Sequence, residues 1–203
     1  MGSRLRDPGP FVRVAGTGVQ LQLIDASRAK GLAYGSPGNG TTPHLTAEYL
    51  FKNLAGLQVM HVPYKGAAPA VTAALTGEVP AVSVALPAAV PHIKAGKLRG
   101  LAVMSERRLA AIPEVPTVQE SGFPGFEDYT WIGVFVPAGT PPIVIARLNG
   151  EVNAHLLQPE VRERLEALGF EPVGGTSARF AAYLKAELDK WARVVRETGA
   201  KAE

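Results

Sequence analysis

The side chains best placed for chemistry lie in one stretch, G-L-A-Y-G-S-P-G-N-G-T-T-P-H-L, residues 31–45. Gly35, Gly38 and Gly40 permit positive φ and close approach of the main chain to a bound group. Around them stand the hydroxyls of Ser36, Thr41 and Thr42, the amide of Asn39 and the imidazole of His44. A glycine turn whose backbone N–H groups converge on one point is a site for an anion. Phosphate is one candidate, because Gly35 to Thr42 has the spacing of a nucleotide-binding P-loop. Thr41 stands where that motif needs its lysine, however, and no acidic residue ends the next strand to hold Mg²⁺. A carboxylate fits better. The N–H groups of residues 38–41 and the hydroxyls of Ser36, Thr41 and Thr42 can satisfy two carboxylate oxygens, and the helix start adds about 0.3–1 kcal/mol. The plain alternative is a tight strand-to-helix turn that holds nothing.

A second group is H-V-P-Y-K-G, residues 61–66. Lys65 can pair with an acidic ligand, and Tyr64 can donate a hydrogen bond or form an apolar wall; Gly66 closes the turn. In a parallel sheet the strand ends that lead into helices share one edge, which brings this turn beside the glycine loop. The plain reading is a solvated lysine after a proline-fixed turn. His61, His92 and His155 have no carboxylate at ligand spacing, and a metal needs three or four converging ligands. Ser36 with His44 is a conceivable nucleophile and base, but no G-x-S-x-G elbow and no orienting acid accompany them. Neither a catalytic constellation, a metal nor a cofactor is expected.

The elements that must position these residues follow from periodicity. Strand-like runs at Leu32–Tyr34, Val59–Val62, Val79–Val84 and Leu98–Met104 alternate with helical stretches at 43–55, 67–76 and 87–95. Thr42 is expected to cap the first helix, with Pro43 at its first position. Gly56, Gly77 and Gly96 follow the helices as stop signals. The pattern predicts a mainly parallel sheet covered on both faces. Residues 105–129, rich in proline, read as a long ordered loop. A strand is expected at Trp131–Val136, then a helix capped by Thr140 with Val144, Leu148, Val152 and Leu156 on one face. A helix at 160–168 and a short strand at 171–173 come next. The last helix starts near Thr176, carries Phe180, Leu184, Leu188, Trp191 and Val195 on one face, and stops at Gly199. Trp131, Trp191, Phe135 and Phe180 read as core. These C-terminal helices need a sheet to cover.

The 203 residues suffice for one large or two small domains, and 46% hydrophobic content supports a packed core. A net charge of +3, with Arg107–Arg108 the only adjacent basic pair, lacks the stripe of a nucleic-acid binder. There is no cysteine, which excludes disulfides and thiolate chemistry. No run approaches the ~18 apolar residues of a membrane span. The start, M-G-S-R-L-R-D-P-G-P, lacks the apolar core of a signal peptide and reads as a disordered leader.

Several strings taken together resemble one family. They are Y-G-S-P-G-N-G-T-x-x-H-L (34–45), H-V-P-Y-K-G-A-A-P-A (61–70) and P-H-I-K-A-G-K-L-R-G-L-A-V (91–103), followed by I-P-E-V-P-T-V-Q-E-S-G-F-P-G-F (112–126) and W-I-G-V-F-V-P-A-G-T-P (131–141). In that order they are similar to the Bug (TctC-like) solute receptors of tripartite tricarboxylate transporters, from about residue 20 to the C-terminus. The resemblance implies an α/β Venus flytrap of the periplasmic-binding-protein type. It implies a small organic carboxylate as ligand, transporter subunits in the membrane as partners, a periplasmic location and no catalysis. The implied ligand residues are Ser36, Gly38, Asn39, Gly40, Thr41 and His44 in the glycine loop, with Tyr64, Lys65 and Gly66 in the second turn.

Two departures shape the expectation. Family members carry a long first-lobe segment before this region, so the chain reads as one complete βα lobe with an incomplete first lobe. The implied division is a leader and first-lobe remnant at 1–28, a ligand-binding βα lobe at 29–129, and a mainly helical C-terminal part of the first lobe at 130–203. Where the family has a polar V-D-x-x-F-D-N-L-P strand end, this chain reads V-P-A-V-S-V-A-L-P at 79–87. Apolar stripes left on the C-terminal helices would promote self-association. The alternative from another class is an α/β enzyme that binds a phosphorylated substrate at the glycine loop.

Overall fold

A computed structural model describes residues 32–199, and the leader and remnant expected over 1–28 lie outside them. Strand β1 (Leu32–Ser36) is the centre of a three-stranded parallel sheet of order β2-β1-β3. β2 (Val59–Pro63) runs beside it in the register Leu32↔Val59 to Ser36↔Pro63, and β3 (Ala81–Val82) pairs on the other edge through Tyr34↔Ala81 and Gly35↔Val82. Neighbours on both edges and helices on the faces bury Leu32, Tyr34, Gly35 and Ser36, so β1 shows no alternation.

The first helix, α1 (Thr42–Glu48), widens without a break into a π-helical turn, Tyr49–Leu54. Together they fill the expected helical stretch. Its cap lies one residue earlier than the spacing predicts. Thr41 is the extended residue before the helix, Thr42 is the first helical residue and Pro43 the second. The Thr41 hydroxyl makes no capping bond; it donates to Gly38 O at 2.8 Å. Helix α2 (Ala67–Thr76) ends at Gly77 in the left-handed conformation, as expected, and α3 spans Leu86–Lys94. The small side chains Ala70, Ala73 and Ala74 let α2 lie close on the sheet, where Val71, Val79 and Leu98 complete a core. Val90 of α3 joins Val103, Ile112 and Val115 in a second one.

The apolar run at 98–104 is not a strand. It forms a single bridge, Val103↔Thr117, and packs beneath the proline-rich loop instead of extending the sheet. Gly100 makes this fit, since a Cβ there would stand 2.4 Å from Val115 Cγ2. The expected strand at 79–84 contracts to Ala81–Val82. Residues 105–129 are the ordered loop foreseen, pinned by Arg108–Glu120 at 2.8 Å and by the buried Ile112 and Val115.

Past the loop come α4 (Pro142–Leu156), α5 (Pro159–Ala167) and α6 (Ser177–Thr198). Thr140 does not cap α4; Pro141 precedes the helix, and the Thr140 hydroxyl donates to Pro137 O. Thr176 caps α6 by accepting from Arg179 N at 3.1 Å, and Gly199 ends it. Neither 131–136 nor 171–173 forms a strand. Their apolar residues have no neighbouring strand among the described residues, and Ile132 is 77% exposed. The expected apolar face of α6 is only partly covered: Phe180, Leu184 and Trp191 are half-buried and Leu188 is 63% exposed, while Glu187 and Val194 are buried. Trp131, Trp191 and Phe180 are half-buried and Phe135 is exposed, so these aromatics form a surface cluster rather than a core. Trp131 meets Phe180 edge-to-face at 5.7 Å.

Candidate functional site

Three strand-to-helix turns meet at the edge where the strands end. Tyr64 N donates to Ser36 O at 2.9 Å, and Gly66 N to Pro37 O at 2.9 Å. Ser83 N donates to Gly35 O at 2.9 Å, while its hydroxyl donates to Pro43 O at 2.8 Å. The glycine loop is thereby fixed from both sides. Gly35 explains the closeness, because a Cβ there would stand 2.9 Å from the Tyr64 ring. Gly38 and Gly40 have φ of 142° and 71°, conformations that suit glycine.

Inside the loop, most of the donors expected to face a ligand are already engaged. Gly38 N donates to Ser36 Oγ at 3.2 Å, and Gly40 N to His44 Nδ1 at 3.0 Å. Ser36 is fully buried, and its Oγ lies 2.7 Å from His61 Nε2. The side chains of Asn39 and Thr42 make no hydrogen bond to another described residue, and Gly40 is exposed. Lys65 is exposed and forms no ion pair among the described residues. Tyr64 turns its hydroxyl away, to Glu78 Oε1 at 2.8 Å, which raises its pKa through burial and that bond. Gly66, at φ 112°, immediately precedes α2.

Spacing alone missed the partner of Ser36. The register Tyr34↔His61 places His61 beside β1, and its ring stacks on His44 with centroids 3.9 Å apart. Beneath the pair, Tyr34 Oη donates to the buried Glu48 at 2.8 Å, and Glu48 also pairs with Lys52. Burial lowers the pKa of both imidazoles. The facing His44 lowers His61 further, to about 4, against a smaller opposing pull from Glu48. Because His44 Nδ1 accepts from Gly40, the proton of the neutral ring sits on Nε2. Parallel register plus the i, i+4 spacing of His44 and Glu48 was the available signal.

A second polar cluster also went unforeseen. Asp128, buried, bonds Thr46 of α1 and accepts from Lys190 of α6 at 2.9 Å. Lys190 also reaches Glu187 at 2.6 Å, and Glu187 accepts from both Trp131 Nε1 and Trp191 Nε1. Burial acts to lower the Lys190 pKa, but the bonds to Glu187 and Asp128 outweigh it and raise the value. This cluster fastens α6 to α1. No three His, Asp or Glu side chains converge as metal ligands among the described residues, and no helix among them is long and apolar enough to cross a membrane.

With that geometry in view, comparison with known proteins identifies the family of the chain. Residues 17–200 match the TctC family, described as tripartite tricarboxylate transporter family receptor, and the chain belongs to it. A protein from the tcbD–tcbE intergenic region of Pseudomonas sp. strain P51 is 39% identical over 179 residues, covering 87% of this chain and 53% of that protein. BugT of Bordetella pertussis is 37% identical over 198 residues, covering 95% of this chain and 60% of its own length. The chain thus spans little more than half the length of these relatives. Among solved structures, R. palustris Rpa4515 with adipate superposes with a TM-score of 0.81 at 34% identity, over 89% of this chain and 60% of that one. The fold is therefore the α/β type of periplasmic binding proteins. The enzyme alternative receives no support from these relationships.

Proposed function

We propose that this chain carries the carboxylate-holding half of a solute receptor, which presents a small organic acid to a tripartite tricarboxylate transporter. The observation that carries the reading is the junction of three strand-to-helix turns at one sheet edge, with the exposed Lys65 beside the glycine loop. Ligands in open α/β sheets bind outside the carboxyl ends of the strands. Asn39, Thr42 and Lys65 supply accessible donors, and Gly40 N–H is held by His44 at the exposed tip of the loop. Ser36, Gly38, Thr41 and His44 hold the loop in shape, and Tyr64 and Gly66 shape the neighbouring wall. That the similar Rpa4515 is described with adipate supports a dicarboxylate as the ligand class.

On this reading residues 29–129 form the binding lobe and 130–203 belong with the opposite lobe. The protein does no chemistry, works in the periplasm and meets membrane subunits of the transporter. A ligand held by one open wall binds weakly, in the millimolar range that about 4 kcal/mol supplies. The test is a thermal-shift titration of the purified chain against a carboxylate panel, with ATP and a sugar phosphate as controls. A selective rise with a dicarboxylate is expected. A selective response to a phosphate, or tight stoichiometric binding by the isolated chain, would sink the proposal.

A further inference from the structure

We propose that the glycine loop takes up its anion together with a proton, carried on Nδ1 of His44. The inference rests on the carboxylate-receptor reading and adds to it a chemical condition for binding. Gly40 N–H points at Nδ1 of His44, 3.0 Å away, and is spent there. Gly40 is the most exposed residue of the loop, so its N–H is a donor that a ligand can reach if the imidazole lets go. Protonating Nδ1 does that. The ring can no longer accept, and Gly40 N–H and Nδ1–H, 3.0 Å apart, become two adjacent donors that need an outside acceptor. An anionic oxygen entering there accepts from both and sits against the imidazolium charge.

The surroundings allow one proton and only one. His61 from β2 stacks on His44 at 3.9 Å, so two imidazolium rings would repel at contact distance. Ser36 from β1 engages His61 Nε2 at 2.7 Å, and Tyr34 from β1 donates to Glu48. From α1 itself, Glu48 lies one turn below His44 and favours its charge, while Lys52 in the π turn opposes it. Thr46, with Asp128 and Lys190 behind it, is rotated by two residues to the far side of α1, where Asp128 and Lys190 pair with each other. Burial disfavours the charged form of both rings. An anion therefore supplies what His44 lacks to hold a proton, and by reciprocity the proton tightens the anion.

The test follows the imidazole and backbone amide resonances of the labelled full chain by NMR between pH 6.5 and 8, where the probe, adipate, stays ionised. Without adipate His44 is expected to remain neutral throughout. With saturating adipate it gains a proton within that range. Adipate affinity is expected to rise as pH falls, by at most about tenfold per unit for one linked proton. In His44→Asn, whose Oδ1 stands where Nδ1 stood and still accepts from Gly40, affinity should not vary with pH. If Asn39 and Gly40 amides respond to adipate but His44 stays neutral and affinity is flat, the anion binds alone and the proposal is overturned with the receptor reading intact. A slope that survives in His44→Asn also overturns it. If no loop amide responds at any pH, the receptor reading fails and takes the proposal with it. Should the variant not fold, the wild-type resonances decide by themselves.

Discussion

Residues 32–128 and residues 142–198 are built from comparable amphipathic patterns, yet they use them differently. In the first region alanines and valines of α2 and α3 close over the sheet, and Ala70, Ala74 and Val90 are all but inaccessible. In the second, α4 and α5 bury no residue at all, and Ile143, Leu148 and Leu157 face outward. The contrast separates two meanings of an apolar stripe. It marks a face that needs a cover, and only a neighbouring element decides whether the cover is present. What α6 buries fully is Val194 and Glu187, the latter within the Asp128–Lys190–Glu187 cluster. One region is held by shape and the other by a few charge-assisted bonds.

Substitutions should break that contrast unequally. Lys190→Met strands two buried carboxylates and is expected to cost about 3 kcal/mol. Hydrogen exchange should then speed up along α6 while β1 amides stay protected; equal acceleration in both would mean the regions are a single unit. Ile112→Ala opens a cavity in the second core and should cost about 2–4 kcal/mol by urea denaturation, whereas Leu148→Ala on exposed α4 should change stability by less than about 0.5 kcal/mol. Gly38→Ala forces a side chain into a backbone state that costs about 1–2 kcal/mol and should blunt any carboxylate-induced rise in melting temperature. Gly150→Ala, mid-helix with open space around it, should stabilise by about 0.5–1 kcal/mol. Acid sensitivity follows from the two histidines. His44 and His61 have pKa values below those of an unfolded chain, so the unfolded state binds more protons. Stability should be full above about pH 6.5 and fall as pH drops toward the His61 value of about 4. His61→Gln should flatten that decline in a pH series of thermal melts.

The parallel βα unit was legible because its signals were local. Glycines at helix ends, an alanine-rich face and strand-length apolar runs lie within a few residues of one another, and the spans of α2, α3 and α6 follow from them. Leu98–Met104 was misread because its apolar run is satisfied by the loop at 109–118, a contact that no periodicity encodes. Trp131–Val136 was misread for the opposite reason: it has strand composition but no strand to pair with among the described residues. In the site, the glycine loop and the adjacent Y-K-G turn were legible from parallel-sheet topology. The engagement of Gly40 N–H by His44 was not, and neither was the stacking of His44 on His61. Both depend on a register and a side-chain direction that sequence spacing leaves open. The Asp128 cluster joins residues 82 and 62 positions apart, beyond the reach of any motif.

Those separations have a kinetic consequence. Bringing Thr46 to Asp128 and Asp128 to Lys190 closes long chain segments, whereas the βα turns close short ones. The strand pairs close shorter segments than these, so the sheet is expected to assemble first and α6 to dock afterwards, once Asp128 has a folded surface to rest on. Contacts made that late stabilise the finished protein more than the transition state for folding. Weakening the cluster should leave the refolding rate nearly unchanged and shorten the lifetime of the folded molecule.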